Sequence, residues 1–94
     1  MIRTIPLTAG LPHQRFHVEL NGRAITVRLY WSTRYGFYCV DLYEGETPLA
    51  LGRALHPGID LLHGLNLGLG RLYLEGRPAT VANLGIDNKL RHAS

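Results

Sequence analysis

Asn21-Gly22 constrains this chain more than any other pair of neighbours. Phe16, Val18 and Leu20 precede it, and Ile25, Val27 and Leu29 follow, each set spaced by two. Asn and Gly both tolerate the positive φ of a two-residue type I′ turn, and period-two alternation gives each flanking strand one apolar face. The sequence therefore predicts a β-hairpin over about residues 14–30, with Arg15, His17, Glu19, Thr26, Arg28 and Tyr30 on its polar face. Those six make no recognisable catalytic cluster, which points toward binding or assembly.

The rest of the chain punctuates into further extended pieces. Residues 1–8 read as an N-terminal extended arm: Pro6 has no N–H and suits a strand edge or an arm better than a sheet centre. Residues 36–43 alternate again, with Tyr38, Val40 and Leu42 on one face and Phe37, Cys39, Asp41 and Tyr43 on the other. A turn at 44–48 leads into a partner strand at 49–55, where Gly52 suggests a bulge or a close backbone approach. From His56 to Gly70 glycines interleave with leucines. Each interior glycine would cost a helix about 1 kcal/mol, so a loop folding its leucines inward is expected over 56–70. A strand at 71–75 and a last strand at 86–90 complete the pattern. No segment holds a helical period over three turns. The expected fold is all-β: one domain over residues 1–94, with antiparallel hairpins forming a sandwich or partly open barrel and little or no helix.

Size and charge narrow the function classes. Ninety-four residues support one core and leave little room for a large buried active site. No run approaches the roughly 18 apolar residues of a membrane-spanning helix. The first seven residues hold no apolar stretch of signal-peptide length, so the chain is expected to start life in a cytoplasm. Net charge is +3, and nine of the ten cationic side chains are arginine, which favours bidentate contact with carboxylate or phosphate and stacking on rings. These arginines are scattered, which argues against a dedicated nucleic-acid surface.

Chemistry-bearing residues do not assemble into a reaction centre. His13, His17, His56, His63 and His92 lack metal-ligand spacing, and the lone Cys39 has no second thiol to pair with, so no metal and no cofactor is expected. Ser32 and Ser94 sit in no nucleophile-elbow context. Asp41, Glu44, Glu46, Asp60 and Glu75 read as solvated turn or rim charges; a carbohydrate-processing role would need two of them to titrate abnormally. Gly64-Leu65-Asn66-Leu67-Gly68-Leu69-Gly70 runs into a strand, whereas a phosphate loop runs from a strand into a helix. No enzyme is expected. The densest cluster is Tyr30, Trp31, Arg34, Tyr35, Phe37 and Tyr38, a composition typical of interface hot spots, of core packing, or of a base-stacking platform.

Taken in order, Ile5-Pro6-Leu7-Thr8, Pro12-x-Gln14-x-Phe16-x-Val18-x-Leu20-x-Gly22, Val27-x-Leu29-Tyr30-Trp31-Ser32-Thr33-Arg34 and Tyr38-x-Val40-Asp41-Leu42-Tyr43 resemble the small baseplate plug-like proteins of contractile-tailed bacteriophages. Thr47-Pro48-Leu49, Gly52-x-x-Leu55-x-Pro57-Gly58-x-Asp60-Leu61-Leu62, Gly70-Arg71-Leu72-Tyr73 and Asn83-Leu84-Gly85 carry the resemblance over nearly the whole chain. It implies a non-catalytic virion component of the tail baseplate, made in the host cytoplasm and seated with the hub at the distal end of the tail tube. The implied partners are hub, spike and tube proteins and copies of the chain in a ring. The resemblance also implies a strongly apolar closing strand, from which Lys89-Leu90-Arg91-His92-Ala93-Ser94 departs. On this reading Arg3, Arg28, Trp31, Arg34, Tyr35 and Arg53 contribute inter-subunit contacts and the arm adds a strand to a neighbour. The alternative is a small OB- or SH3-like nucleic-acid-binding module using Trp31, Arg34 and Tyr35.

Overall fold

A computed structural model describes residues 2–94; Met1, the first residue of the expected arm, lies outside them. Asn21 and Gly22 both take positive φ, +50° and +81°, and join β2 (His13–Leu20) to β3 (Arg23–Ser32) in the expected hairpin. The register pairs Leu20 with Arg23 and runs without slip to His13 opposite Tyr30. Two more turns add β4 (Phe37–Glu44) and β5 (Thr47–Ala54), giving a four-stranded antiparallel meander in the order β2-β3-β4-β5.

The second sheet is built from the two ends of the chain. β1 (Ile2–Ile5) and β6 (Arg71–Gly76) both pair antiparallel with β7 (Asn88–Ala93), so the last strand is the central one. β7 starts two residues later than the sequence suggests and runs on to Ala93. Residues 83–87 are held in turns, where the Asn88 side-chain oxygen accepts the Gly85 N–H at 2.8 Å. β5, conversely, starts two residues early, because Pro48 is tolerated opposite Tyr43 on an edge strand.

Neither sheet closes on itself, and among the described residues there is no helix. Both sheets and the 56–70 loop contribute to one core. Ile25, Val27, Leu29, Tyr38, Val40 and Leu42 of the meander meet Ile5, Leu72, Leu74 and Leu90 of the three-stranded sheet. Leu55, Leu61, Leu62 and Leu69 enter it from the loop and its approach. Leu65 and Leu67 pack against it partly buried, and the segment holds no helix. Asp60 organises the loop by accepting the backbone N–H groups of Leu62 at 2.9 Å and Leu72 at 3.0 Å, which fastens it along the outer edge of β6. Gly58 N–H to Leu74 C=O and Leu61 N–H to Leu72 C=O continue the same edge pairing.

Candidate functional site

Alternation leaves the meander with a polar outer face. His13, Arg15 and His17 of β2 lie opposite Tyr30, Arg28 and Thr26 of β3, and Cys39, Asp41 and Tyr43 of β4 continue the same face. Over β2, β3 and the start of the β4–β5 turn this face carries an open depression of about 690 Å³ lined by His13, Arg15, His17, Thr26, Arg28 and Tyr43.

Behind the depression stands a polar cluster that the sequence did not suggest. Asp41 is not a rim charge: it is 6% exposed. The reason is a β-bulge, since Val40 pairs with Arg53 and Leu42 with Ala50, leaving Leu51 and Gly52 opposite the single residue Asp41. A bulge frees a backbone N–H from the ladder, and Asp41 Oδ1 accepts that of Gly52 at 2.7 Å and the Tyr30 hydroxyl at 3.3 Å. Its Oδ2 faces Arg28 at 3.6 Å. Arg28 also lies over the Tyr30 ring, 5.1 Å from its centroid. Burial pushes the Tyr30 hydroxyl and the Cys39 thiol above their ordinary values, and the Asp41 charge adds to both. A nucleophilic cysteine needs the opposite shift.

A second feature occupies the β3–β4 turn. Arg34 lies over the ring of Tyr35, which is 63% exposed and stacks on Phe37 with centroids 5.8 Å apart; Phe37 in turn meets His56 edge-on at 4.9 Å. Trp31 belongs elsewhere. It packs edge-on against buried Tyr38 at 5.2 Å on the core side, and its backbone N–H donates to Pro12 C=O. Tyr38 donates its hydroxyl to Leu11 C=O at 2.8 Å, and burial raises its ordinary value. The aromatic cluster of the sequence thus divides between two faces and forms no single stacking platform.

The six expected contact residues are likewise dispersed. Arg28 stands on the outer face, and Arg34 and Tyr35 at the turn tip. Half-buried Trp31 faces the core, and Arg53 reaches His63 C=O at 3.3 Å. Arg3, exposed on β1, borders a small recess with Glu19, Asn21 and His92. β1 itself pairs with β7 of the same chain along one edge.

Arg23 was missed, yet it ties three turns together: Nε and one terminal nitrogen bind Glu44 at 2.9 and 2.6 Å, and the other donates to Leu67 C=O at 2.6 Å. This bidentate hydrogen bond lowers the Glu44 carboxyl and raises the Arg23 guanidinium. His92, two residues beyond the expected last strand and within the ending that departs from an apolar one, is buried in β7 and donates Nε2–H to Leu69 C=O at 2.7 Å. Its signal was the alternation Leu90-x-His92. Among the described residues no group of three or more His, Cys, Asp or Glu side chains is placed to hold a metal ion, and no helix is long and apolar enough to cross a membrane.

The arrangement therefore offers charge, hydrogen-bond donors and rings at an open surface. A family model described as the cyanophage baseplate plug Pam3 gp18 matches residues 2–92. No curated protein matches the chain.

Proposed function

The chain belongs to the phage family of the cyanophage Pam3 baseplate plug, and from that membership we propose a structural subunit seated with the hub at the distal end of the tail tube, holding its place through protein–protein interfaces. The family match carries this reading, because it spans both sheets and the loop between them. The surface is consistent with it: an exposed Arg34–Tyr35–Phe37 stack supplies rigid rings with a charged handle, the composition that dominates interface energetics. The subunit acts by shape and contact, with no turnover, in the virion tail.

Arg3, Arg28, Trp31, Arg34, Tyr35 and Arg53 are proposed as contact residues toward hub, spike, tube or sister copies. Arg34 and Tyr35 at the turn tip, Arg28 on the outer face, Arg53 on β5 and Arg3 on β1 suit a subunit with neighbours on more than one side, as a closed ring requires, and half-buried Trp31 would contribute through its exposed part alone. The edge of β1 that β7 does not use is the place where a neighbour's strand would add.

Reconstruction of the tail of a phage encoding this chain tests the reading. Two sheets of three and four strands are expected in density at the distal end of the tube; purified particles lacking the chain would overturn it. For the anchors, Arg34→Ala is expected to cost an interface about 2 kcal/mol and to lower the yield of infectious particles, with melting of the free protein unchanged. Unaltered infectivity would remove Arg34 from the anchor set.

A further inference from the structure

The outer face of the meander holds an electrostatic conflict that folding leaves unresolved. Arg15 and Arg28 are direct cross-strand partners on one face, a juxtaposition that places their Cβ atoms about 4.5–5.5 Å apart and destabilises when the charges are alike. Arg28 has partial relief, since it leans on Tyr30 and faces Asp41 at 3.6 Å. Arg15 has none: it is exposed and makes no hydrogen bond or ion pair with any described residue. His13 and His17 flank it on the same strand and the same face, and no carboxylate lines the depression between these residues. The charged and titratable groups around it are His13, Arg15, His17 and, farther along, Glu19 on β2, Arg28 and Tyr30 on β3, Cys39, Asp41 and Tyr43 on β4, and, on either side of Gly45 at its end, Glu46 and the Arg23-bound Glu44. Asp41 is turned inward to the Gly52 amide, so the opening stays cationic.

We infer that this depression is a docking site for an acidic, extended segment of a partner protein, whose carboxylates seat between Arg15 and Arg28. The inference rests on the baseplate reading and deepens it by naming the surface and the chemistry of what it meets. Guanidinium forks bind carboxylates bidentately, and an incoming carboxylate converts the Arg15–Arg28 repulsion into two attractions. A nucleic-acid strand is the weaker fit. Base stacking favours broad, open aromatic platforms along the groove, whereas the lining rings are the Tyr43 phenol and the small imidazoles of His13 and His17, His17 is hydrogen-bonded to Thr26, and Tyr30 is covered by Arg28.

The test uses the full chain and three labelled probes read by fluorescence anisotropy at low salt: an octaglutamate peptide, a neutral Gly-Ser octapeptide and an eight-nucleotide oligothymidylate. Octaglutamate is expected to bind in preference to both others, and Arg15→Glu to weaken it about tenfold or more. The same substitution turns a like-charge cross-strand pair into an opposite-charge pair, so the melting temperature should hold or rise. Arg15→Lys keeps the charge but loses the bidentate fork and should bind octaglutamate more weakly than wild type and more tightly than Arg15→Glu. Octaglutamate binding no better than the neutral peptide, tighter binding of the oligothymidylate, or indifference to Arg15→Glu would each overturn the inference. Mass spectrometry of purified particles separates this from the underlying reading: a chain present in virions that ignores octaglutamate loses only the docking site, whereas a chain absent from virions loses the baseplate role.

Discussion

The two sheets share one core but reach it by opposite routes. In the meander every strand pairs with its sequence neighbour through a short turn, so each register is fixed locally by turn chemistry and alternation. In the three-stranded sheet the central strand is the last one, its partners lie at the other end of the chain and across the 77–87 segment, and the register is marked by buried Ile5 and Leu74 opposite Leu90, with no tight turn to fix it. The difference appears in how each sheet tolerates side chains. The meander leaves an entire face free for Arg15, Arg28 and the histidines. The end-joined sheet takes a histidine and an asparagine, His92 and Asn88, into near-complete burial and provides backbone groups for both.

Two glycines break this comparison most sharply. Gly22 and Gly70 have almost the same φ, +81° and +78°, so alanine is strained at both. At Gly22 an added Cβ meets open space; at Gly70 it lands on the carbonyl of Ala93, where β6 and β7 begin to pair. Gly70→Ala is therefore expected to combine left-handed strain with backbone displacement and to cost about 3 kcal/mol or more. For a domain of this size that is a fall in melting temperature of roughly 15 °C. Gly22→Ala should cost about 1 kcal/mol. Thermal melts followed by circular dichroism check both, and equal losses would show that the end-joined sheet is no more tightly packed at its rim than the hairpin turn.

The histidines give the next step down in size. His17 bonds Thr26 Oγ1 at 2.9 Å on the exposed face, where water substitutes readily for either partner, so His17→Ala is expected to change stability by less than about 0.5 kcal/mol. His92→Leu conserves bulk but strips the Leu69 carbonyl of its buried donor, at a cost of about 2 kcal/mol. Hydrogen exchange should place the loss in β7 and its neighbours, with the meander amides protected as before. Loss of protection spread evenly over both sheets would mean that they unfold as one unit.

This asymmetry explains what could be read in advance. Asn21-Gly22 and the flanking alternation announced β2 and β3 with their faces, and 36–43 separated Tyr38, Val40 and Leu42 from its other residues without marking which face the core would take. The loop over 56–70 followed from its glycines. What escaped depends on partners distant in sequence. Lys89-Leu90-Arg91-His92 has three polar residues in four and looks unsuited to a sheet centre until Glu75 and Thr4, from the strands on either side, receive Arg91, and Leu69 receives His92. Asp41 reads as a surface charge until a bulge in the opposing strand supplies an N–H that needs an acceptor. The candidate surface was legible as composition, an excess of arginine and rings. Its division into an outer-face depression, a turn-tip stack and a core-side Trp31 follows from strand register, which composition does not carry.

The smallest effect sharpens the comparison where the two routes meet. Arg23 sits beside the hairpin turn, and through Glu44 and the Leu67 carbonyl it ties the meander to the loop that leads into β6. The pair is partly exposed, at 36% and 39% of the side chains, so salt and water weaken it. Its contribution has a definite sign with pH. The hydrogen bond from Arg23 holds the Glu44 carboxyl below its unfolded value of 4.5, so the folded state is favoured above that pH and the advantage disappears as the pH falls through the lower folded value. Wild type should melt slightly above Glu44→Gln at neutral pH, with the gap closing under acid and narrowing in high salt. A gap that persisted unchanged below pH 4.5 would show that the Glu44 charge is not its source, since glutamine has the same stem and volume, and would leave the Arg23 bond to Leu67 C=O at 2.6 Å and the Asn21 bond to Gly68 C=O at 3.1 Å as the polar side-chain contacts that fasten the hairpin turn to the loop.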